Sequence, residues 1–181
     1  KKCIFLHTHF MDKLKNYEVS FSGLKTGKHE FKFEIDKEFF QLFETEQEFT
    51  NPKIVAHVFL EKHTTFLEFI IAITGTIELV CDITNENFNH PISNEIKVLV
   101  KFGEEYDDSD EDVITIPSSD HSFNTAQLIY ENVMLAVPMK KLSPNVSDED
   151  IQVIENFGVK EEEEQEEVSD PRWEALKKLK K

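Results

Sequence analysis

The chain has 181 residues, a hydrophobic fraction of 39% and a formal net charge of −16 at pH 7. This length suits one domain with a short appendage. The chain contains only five Gly and lacks the G-x-G-x-x-G and G-x-x-x-x-G-K-[ST] motifs, which argues against a Gly-rich phosphate-binding loop. Its longest apolar run is interrupted by Glu68 and Glu78, which argues against a membrane span.

Most of the negative charge lies in two stretches. Residues 104–112 contain seven acidic residues and no basic one, and residues 147–170 contain eleven acidic residues and one Lys. The remainder of the chain is close to neutral. Acidic stretches oppose binding to nucleic-acid phosphates and favour basic protein partners. The alternative is that they are flexible and only keep the chain in solution.

The first part of the chain predicts the start of a sheet. Met11 suits a natural start, so we treat residues 1–11 as an N-terminal extension. Alternating apolar and polar residues predict strands at 17–22 and 29–35. Asp36 is expected to cap a short helix over 37–43, whose Phe residues would pack on the sheet.

The segment 53–100 is expected to organise the fold. Its apolar runs predict three strands, at 53–62, 64–80 and 95–100, around a polar crossing at 81–91. Gly75 predicts a bulge or bend in the longest strand. His57 and His63 have no evident acid–base partner in the sequence, which favours a surface or structural role over catalysis.

Beyond this segment the pattern predicts a lid. Residues 104–112 are expected to form a disordered acidic loop, followed by a strand at 113–116. Apolar residues at helical spacing predict a helix over 125–136, capped by Ser122 or Asn124. Several antiparallel strands with few helices give an α+β fold with a mainly antiparallel, curved sheet, in a core domain at 12–146.

The last part, 147–181, predicts an acidic linker and a C-terminal amphipathic helix. Asp170 would cap this helix, Pro171 would stand at its first position, and Lys residues would fill its last turn. Its apolar side is small for so short a helix, so we expect it to lie on a partner or on the domain itself. The candidate partner-binding residues are Arg172, Trp173, Leu176, Lys177 and Lys178.

No motif for catalysis is visible. The sequence lacks G-x-S-x-G, H-E-x-x-H and any His/Cys cluster with metal spacing. The two cysteines, Cys3 and Cys81, make no disulfide framework and are ordinary for a reducing cytoplasm. We therefore expect no enzyme, no cofactor and no metal.

Five segments in order carry a family resemblance. They are 17–29, 81–92, 100–105, the pair 129–131 and 135–138, and 170–176. Together they resemble the YceD family, the large ribosomal RNA subunit accumulation proteins, over roughly residues 17–181. The resemblance implies a cytoplasmic, bacterial-type, non-catalytic factor needed for large-subunit ribosomal RNA to accumulate.

The family pattern resembles C-x-x-C at the crossing, often with a later His or Cys. Here Cys81 and Asp82 keep the first positions, but Thr84 replaces the second cysteine and Ser143 stands where the later His often lies. A structural zinc normally takes four ligands, so this degenerate motif predicts a protein that carries no stoichiometric zinc and folds without it.

Two functions stay open at this point. The resemblance and the acidic stretches favour a factor that binds a basic ribosomal protein or a pre-ribosomal particle. The alternative is a module that binds ribosomal RNA directly, although basic residues cluster only at 177–181. Neither function involves a membrane, and the sequence leaves the oligomeric state open.

Overall fold

A computed structural model describes residues 13–43, 45–110 and 112–146. The chain divides into two compact units, Lys1–Lys141 and Leu142–Lys181. Of the helices in the described ranges, none has the length and apolar character needed to cross a membrane.

The described part of the first unit is built mainly from strands. After a short 3-10 helix at Lys15–Tyr17, the elements are β1 Glu18–Ser20, β2 Gly27–Ile35, α1 Lys37–Phe40, β3 Thr50–Lys62, β4 Phe66–Val80, β5 Asn87–Gly103, β6 Asp107–Asp110, β7 Val113–Pro117, β8 Ser122–Asn124 and α2 Ala126–Ala136. Strands β3, β4 and β5 are long and connected by short turns.

Six strands form the main sheet in the order β2-β3-β4-β5-β7-β6. All neighbours are antiparallel except β5 and β7, which run parallel. Strands β1 and β8 form a second, two-stranded antiparallel sheet. A mainly antiparallel sheet was predicted, and the structure has one.

The predicted α+β class is wrong, because the described fold is mainly β with two α-helices, one of them only four residues long. The helix predicted over 37–43 ends at Phe40 and continues as turns. The predicted crossing at 81–91 is shorter than expected, since β5 begins at Asn87 and its residues 87–101 pair with the whole of β4. Cross-strand pairing therefore extends strand structure into residues whose polarity indicated loop.

The predicted disordered loop at 104–112 is also wrong in part. Residues Asp107–Asp110 form β6, an edge strand that pairs with β7. A sheet edge accepts such residues because both faces and one side of the strand stay in water. The sheet consequently holds acidic side chains at a fixed place.

The core lies between the main sheet and the elements that cover it. Phe39 and Phe40 of α1 are buried, as predicted, and the Asp36 carboxylate caps this helix by accepting bonds from the Glu38 and Phe39 amides. Phe123 of β8 packs on Phe69 of β4, with 5.0 Å between ring centroids. The two-stranded sheet thus covers part of the same face as the helices.

Polar contacts fix the position of α2. Of the two predicted caps, Asn124 accepts a side-chain bond from the Ala126 amide (2.9 Å), although Thr125 occupies the N-cap position and makes no side-chain cap bond. The Thr125 hydroxyl donates to the Tyr17 carbonyl (2.8 Å), and the buried Asn132 amide donates to the Ile71 carbonyl of β4 (2.8 Å). These bonds tie the helix to the residue just before β1 and to β4, and they fix which side chains the helix turns outward.

Gly75 allows β3 and β4 to approach closely. A Cβ added at Gly75 would lie 2.3 Å from the Lys53 carbonyl oxygen and 2.6 Å from the Ile54 Cα, so the backbone of β3 would have to move. The irregular pairing lies nearby, between Thr50 and Lys53 of β3. The close approach of the two backbones explains the glycine better than a bend in β4 itself.

We expect Gly75→Ala to lower the free energy of unfolding by about 2 kcal/mol, since overpacking of this kind usually costs about 1–3 kcal/mol. Gly23→Ala is the matched control, because a Cβ there meets nothing within 4 Å. Urea unfolding of both variants checks this. Equal stabilities of the two variants would contradict the role assigned to Gly75.

The described part of the second unit is a short turn. The Val146 amide donates to the Ser143 carbonyl (3.1 Å), and the Asn145 amide donates to the Ser143 hydroxyl (3.3 Å). This agrees with the turn expected from Pro144 and Asn145.

Candidate functional site

A groove of about 880 Å³ lies on the first unit, between α2 and the end of the main sheet formed by β7 and β6. Its apolar floor consists of Ile114, Ile116, Phe123 and Leu128, which are mostly buried. Five carboxylates form its rim, namely Glu18, Asp108, Asp110, Asp120 and Glu131, and all five residues are exposed. We call this feature the acidic groove.

The elements supply these side chains through their own periodicities. On α2, Leu128, Glu131 and Leu135 recur at three- and four-residue intervals, so they form one stripe along the helix. On β7, Ile114 and Ile116 are buried and alternate with half-buried neighbours, so they face inward. The α2 stripe therefore forms one wall of the groove, and the β7 face forms part of its floor.

The groove has a single sign of charge. Among the described residues that line it, there is no Lys, Arg or His, and within the described ranges none of the five rim carboxylates takes part in an ion pair. An apolar cleft lined by one sign of charge concentrates the electrostatic field and attracts ligands of the opposite sign.

Neighbouring side chains orient three of the rim carboxylates. Gln127 donates to Glu131 across one helical turn (2.6 Å), and Tyr106 donates to Asp108 (3.3 Å). The Ser122 hydroxyl donates to Glu18. Oriented carboxylates lose less conformational freedom when a cation binds them.

Tyr106 reports the electrostatic environment of the groove. Its ring remains 59% exposed, yet partial burial, followed by the negative charges of Asp108 and Glu131, raises the pKa of its phenol. One of these charges is on β6 and the other is on α2. Both elements therefore contribute negative charge near Tyr106.

The crossing between β4 and β5 is a separate feature. Cys81 is buried, its amide donates to the Glu86 carbonyl (2.9 Å), and its carbonyl accepts from the Asn85 amide (3.0 Å). Asn85 has a φ of 55°, a conformation that Asn tolerates better than most residues. These bonds make the crossing a compact turn rather than an open loop.

Paired hydrogen bonds join the crossing to the segment after α2. The Asp82 amide donates to the Lys141 carbonyl (2.8 Å), and the Lys141 amide donates to the Asp82 carboxylate (2.7 Å). The Lys141 ammonium also contacts the Glu48 carboxylate (2.5 Å). We call the Asp82–Lys141 pair the crossing clamp.

The residues of the degenerate motif do not fit a structural zinc. Cys81 offers one thiol, whereas Thr84 is exposed and supplies no ligand that zinc favours. The described ranges hold no group of three or more His, Cys, Asp or Glu suited to a metal ion. The crossing clamp supplies a connection that needs no metal.

We therefore predict that the protein binds no stoichiometric zinc and that a chelator leaves its melting temperature unchanged, because the crossing is fixed by hydrogen bonds. Elemental analysis and thermal unfolding with and without chelator measure this. About one zinc per chain, or a fall in melting temperature with chelator, would contradict it.

The structure gives His57 an acidic neighbour that the sequence did not indicate, and it leaves this histidine in a surface pair. His57 Nδ1 lies 3.0 Å from a Glu30 carboxylate oxygen, so this histidine has an acidic neighbour after all. The register of β2 and β3 brings the two residues together, and no local pattern indicates it. Both side chains are substantially exposed, which is typical of a surface pair of small energetic effect.

The predicted partner-binding residues Arg172, Trp173, Leu176, Lys177 and Lys178 lie outside the described residues.

Sequence reasoning missed the acidic groove, because its walls come from distant segments. All residues of Asp107–Asp110 are polar, so no alternation of apolar and polar residues indicated the edge strand.

Comparison with known proteins supplies the family. No curated protein and no solved structure matches the chain. The family model described as "Large ribosomal RNA subunit accumulation protein YceD" matches residues 70–180, more than half of the chain. The match includes the crossing, the acidic stretch at 104–112 and α2. The chain therefore belongs to the YceD family, whose name connects it with the accumulation of large-subunit ribosomal RNA.

Proposed function

We propose that the protein supports accumulation of large-subunit ribosomal RNA as a non-catalytic cytoplasmic factor that binds a basic ribosomal protein or a precursor particle. The observation that carries this proposal is the acidic groove, an apolar cleft whose lining carries carboxylates and no basic side chain within the described residues. Proteins that bind ribosomal RNA need cationic surfaces, and a carboxylate-rimmed cleft is complementary to them.

The chemistry of the groove supports binding rather than catalysis. Among the described residues, its lining lacks His, Cys and Lys, the side chains most used as bases and nucleophiles at neutral pH. Its carboxylates lie on an exposed rim, in contact with water, and are poorly placed to act as desolvated general acids. The groove is better suited to holding a cationic surface than to transforming a substrate.

Direct binding of RNA is the competing function. The acidic groove would repel phosphates, and neutralisation of phosphates by Lys and Arg dominates nucleic-acid affinity. The basic residues at 177–181 could contact RNA, but they lie outside the described residues. The competing function therefore predicts binding through the tail and not through the groove.

We extend the proposal to the C-terminal residues. Residues 170–181 are proposed to engage the partner as a helix, with Trp173 as the anchor, because buried Trp residues often dominate interface energies. Arg172, Lys177 and Lys178 would add contacts to an acidic protein surface or to RNA phosphates. This contact would be independent of the acidic groove.

Affinity capture of the full chain from growing cells, with and without ribonuclease, tests the function. We expect a basic large-subunit protein, or particles that contain it, to be captured and to survive ribonuclease treatment. Loss of all captured protein after ribonuclease treatment would favour direct RNA binding instead. Deletion of residues 168–181 measures how much the tail contributes to capture of the partner. Reduced capture at an unchanged melting temperature supports docking of the tail on the partner. A lowered melting temperature supports packing of the tail on its own domain.

A further inference from the structure

The acidic groove lies beside α2, at the end of the main sheet formed by β7 and β6. Helix α2 packs on β4 and β5, whereas β7 and β6 lie further along the same sheet. Strands are spaced about 4.8 Å apart and a helix is about 10 Å wide, so one helix covers roughly two strands. Helix α2 therefore leaves β7 and β6 to other elements, and the groove of about 880 Å³ opens at this end of the sheet.

We infer that the acidic groove binds one amphipathic helix of a basic partner, with the apolar side of that helix on the floor and its Lys and Arg residues against the rim. This inference rests on the proposed function and deepens it by naming the element that is recognised. The ligand class is a helical peptide with an apolar stripe and flanking cations.

Exposed apolar side chains mark where the apolar stripe would lie. Leu135, on the groove side of α2, is 74% exposed, and the half-buried Leu14 and Phe43 also line the groove. Together with the floor residues Phe123 and Leu128 they form an apolar strip along α2. A helix laid beside α2 would cover this strip, as amphipathic helices do when they bind in a groove.

Charge selects which amphipathic helix fits. Asp108 stands on the β6 wall, Glu131 stands on the α2 wall, and Asp120 lies in the turn before β8. A helix between these walls would present cations on both sides of its apolar stripe. A neutral or acidic helix of equal apolar content would lack these contacts and would meet like charges, which disfavours binding.

The test uses the full-length protein and a labelled 15-residue peptide. The peptide has Leu at helical spacing i, i+3, i+4 and i+7 and Lys at most other positions, and a scrambled peptide of the same composition breaks this spacing. We expect fluorescence anisotropy to show at least tenfold weaker binding of the scrambled peptide. Equal binding of the two peptides would show that the groove binds cationic peptides through non-specific charge attraction, and it would overturn the inference.

A matched pair of variants places the peptide in the groove. Leu135→Gln removes an exposed apolar side chain from the groove, and Val80→Gln removes one at the end of β4 (45% exposed) that does not line the groove. Both sites are exposed, so both variants should fold, and melting temperatures verify this. Leu135→Gln should weaken binding about tenfold and Val80→Gln should not. Equal affinities of the two folded variants would overturn the inference.

Two further outcomes separate the alternatives. If deletion of residues 168–181 tightened peptide binding tenfold, and a synthetic 168–181 peptide competed, the occupant would be the tail of the chain itself and the partner assignment would be overturned. Capture of large-subunit particles together with no peptide binding would overturn this inference and leave the proposed function intact. Peptide binding in the groove without particle capture would overturn the proposed function.

Discussion

Replacing Asn132 with aspartate is expected to cause the largest loss of stability among single substitutions in the described core. Asn132 is fully buried on α2, and its amide donates to the Ile71 carbonyl. An aspartate has no such donor and would set a carboxylate oxygen against a carbonyl oxygen. Burying an uncompensated charge commonly costs about 3–5 kcal/mol, so we expect a loss of at least about 3 kcal/mol.

Asn132→Leu is the control, because it has similar volume and no charge. Within the described residues the Asn132 Oδ1 has no hydrogen-bond partner, so the leucine variant also removes one unsatisfied acceptor. Its net cost should stay near one ordinary hydrogen bond, about 1 kcal/mol. Urea unfolding of both variants at neutral pH measures the difference.

The pH dependence gives Asn132→Asp a second signature. Burial raises the pKa of a carboxyl group, so the introduced acid would be more easily protonated in the folded than in the unfolded state. The free energy of unfolding of the aspartate variant is therefore highest below the pKa of about 3.9 that this carboxyl has in the unfolded chain. It falls as the pH rises through the higher pKa that the same carboxyl has in the folded protein. The deficit relative to Asn132→Leu should be larger at pH 7.5 than at pH 4.5. A deficit that does not change with pH would contradict this account.

The second large effect concerns association with particles. Reversing three rim charges, with Asp108→Lys, Asp120→Lys and Glu131→Lys together, should reduce co-sedimentation with large-subunit particles at least tenfold. The reason is that the rim would change from attracting to repelling a basic partner. Sedimentation of cell extracts followed by detection of the protein measures the bound fraction, at two salt concentrations.

A second triple variant controls for total charge. Glu34→Lys, Glu86→Lys and Glu95→Lys change three exposed acids outside the groove by the same amount. This control should retain most of its association and its melting temperature. If both triple variants lost association equally, net charge rather than the groove would control binding.

Local sequence patterns predicted much of the sheet. Alternation located β2 and β7 to within two residues, and the apolar runs located β3 and β4. The extent of β5 was not predictable, because Asn87, Asn89 and His90 are polar and Pro91 lacks an amide donor, so this stretch pairs as a strand only when β4 lies beside it. The helix at 37–43 was predicted too long, because Phe39, Phe40 and Phe43 have helical spacing although the helix ends at Phe40 and residues 41–43 form turns.

The candidate site was less accessible to sequence reasoning. The acidic composition of 104–112 was evident, but its charge suggested disorder, and only pairing with β7 makes part of it a strand. The groove also depends on Glu18 and Glu131, which lie more than a hundred residues apart and meet through β1, β8 and α2. Such a juxtaposition is a property of topology, and no local pattern contains it.

The central claim is that the acidic groove supports accumulation of large-subunit ribosomal RNA by binding a basic partner. The most direct measurement is the ratio of large- to small-subunit ribosomal RNA in cells that lack the endogenous protein and express either triple variant. We expect the Glu34, Glu86 and Glu95 variant to restore the ratio and the Asp108, Asp120 and Glu131 variant to leave it low, at equal protein levels. Full restoration by the groove variant would contradict the claim.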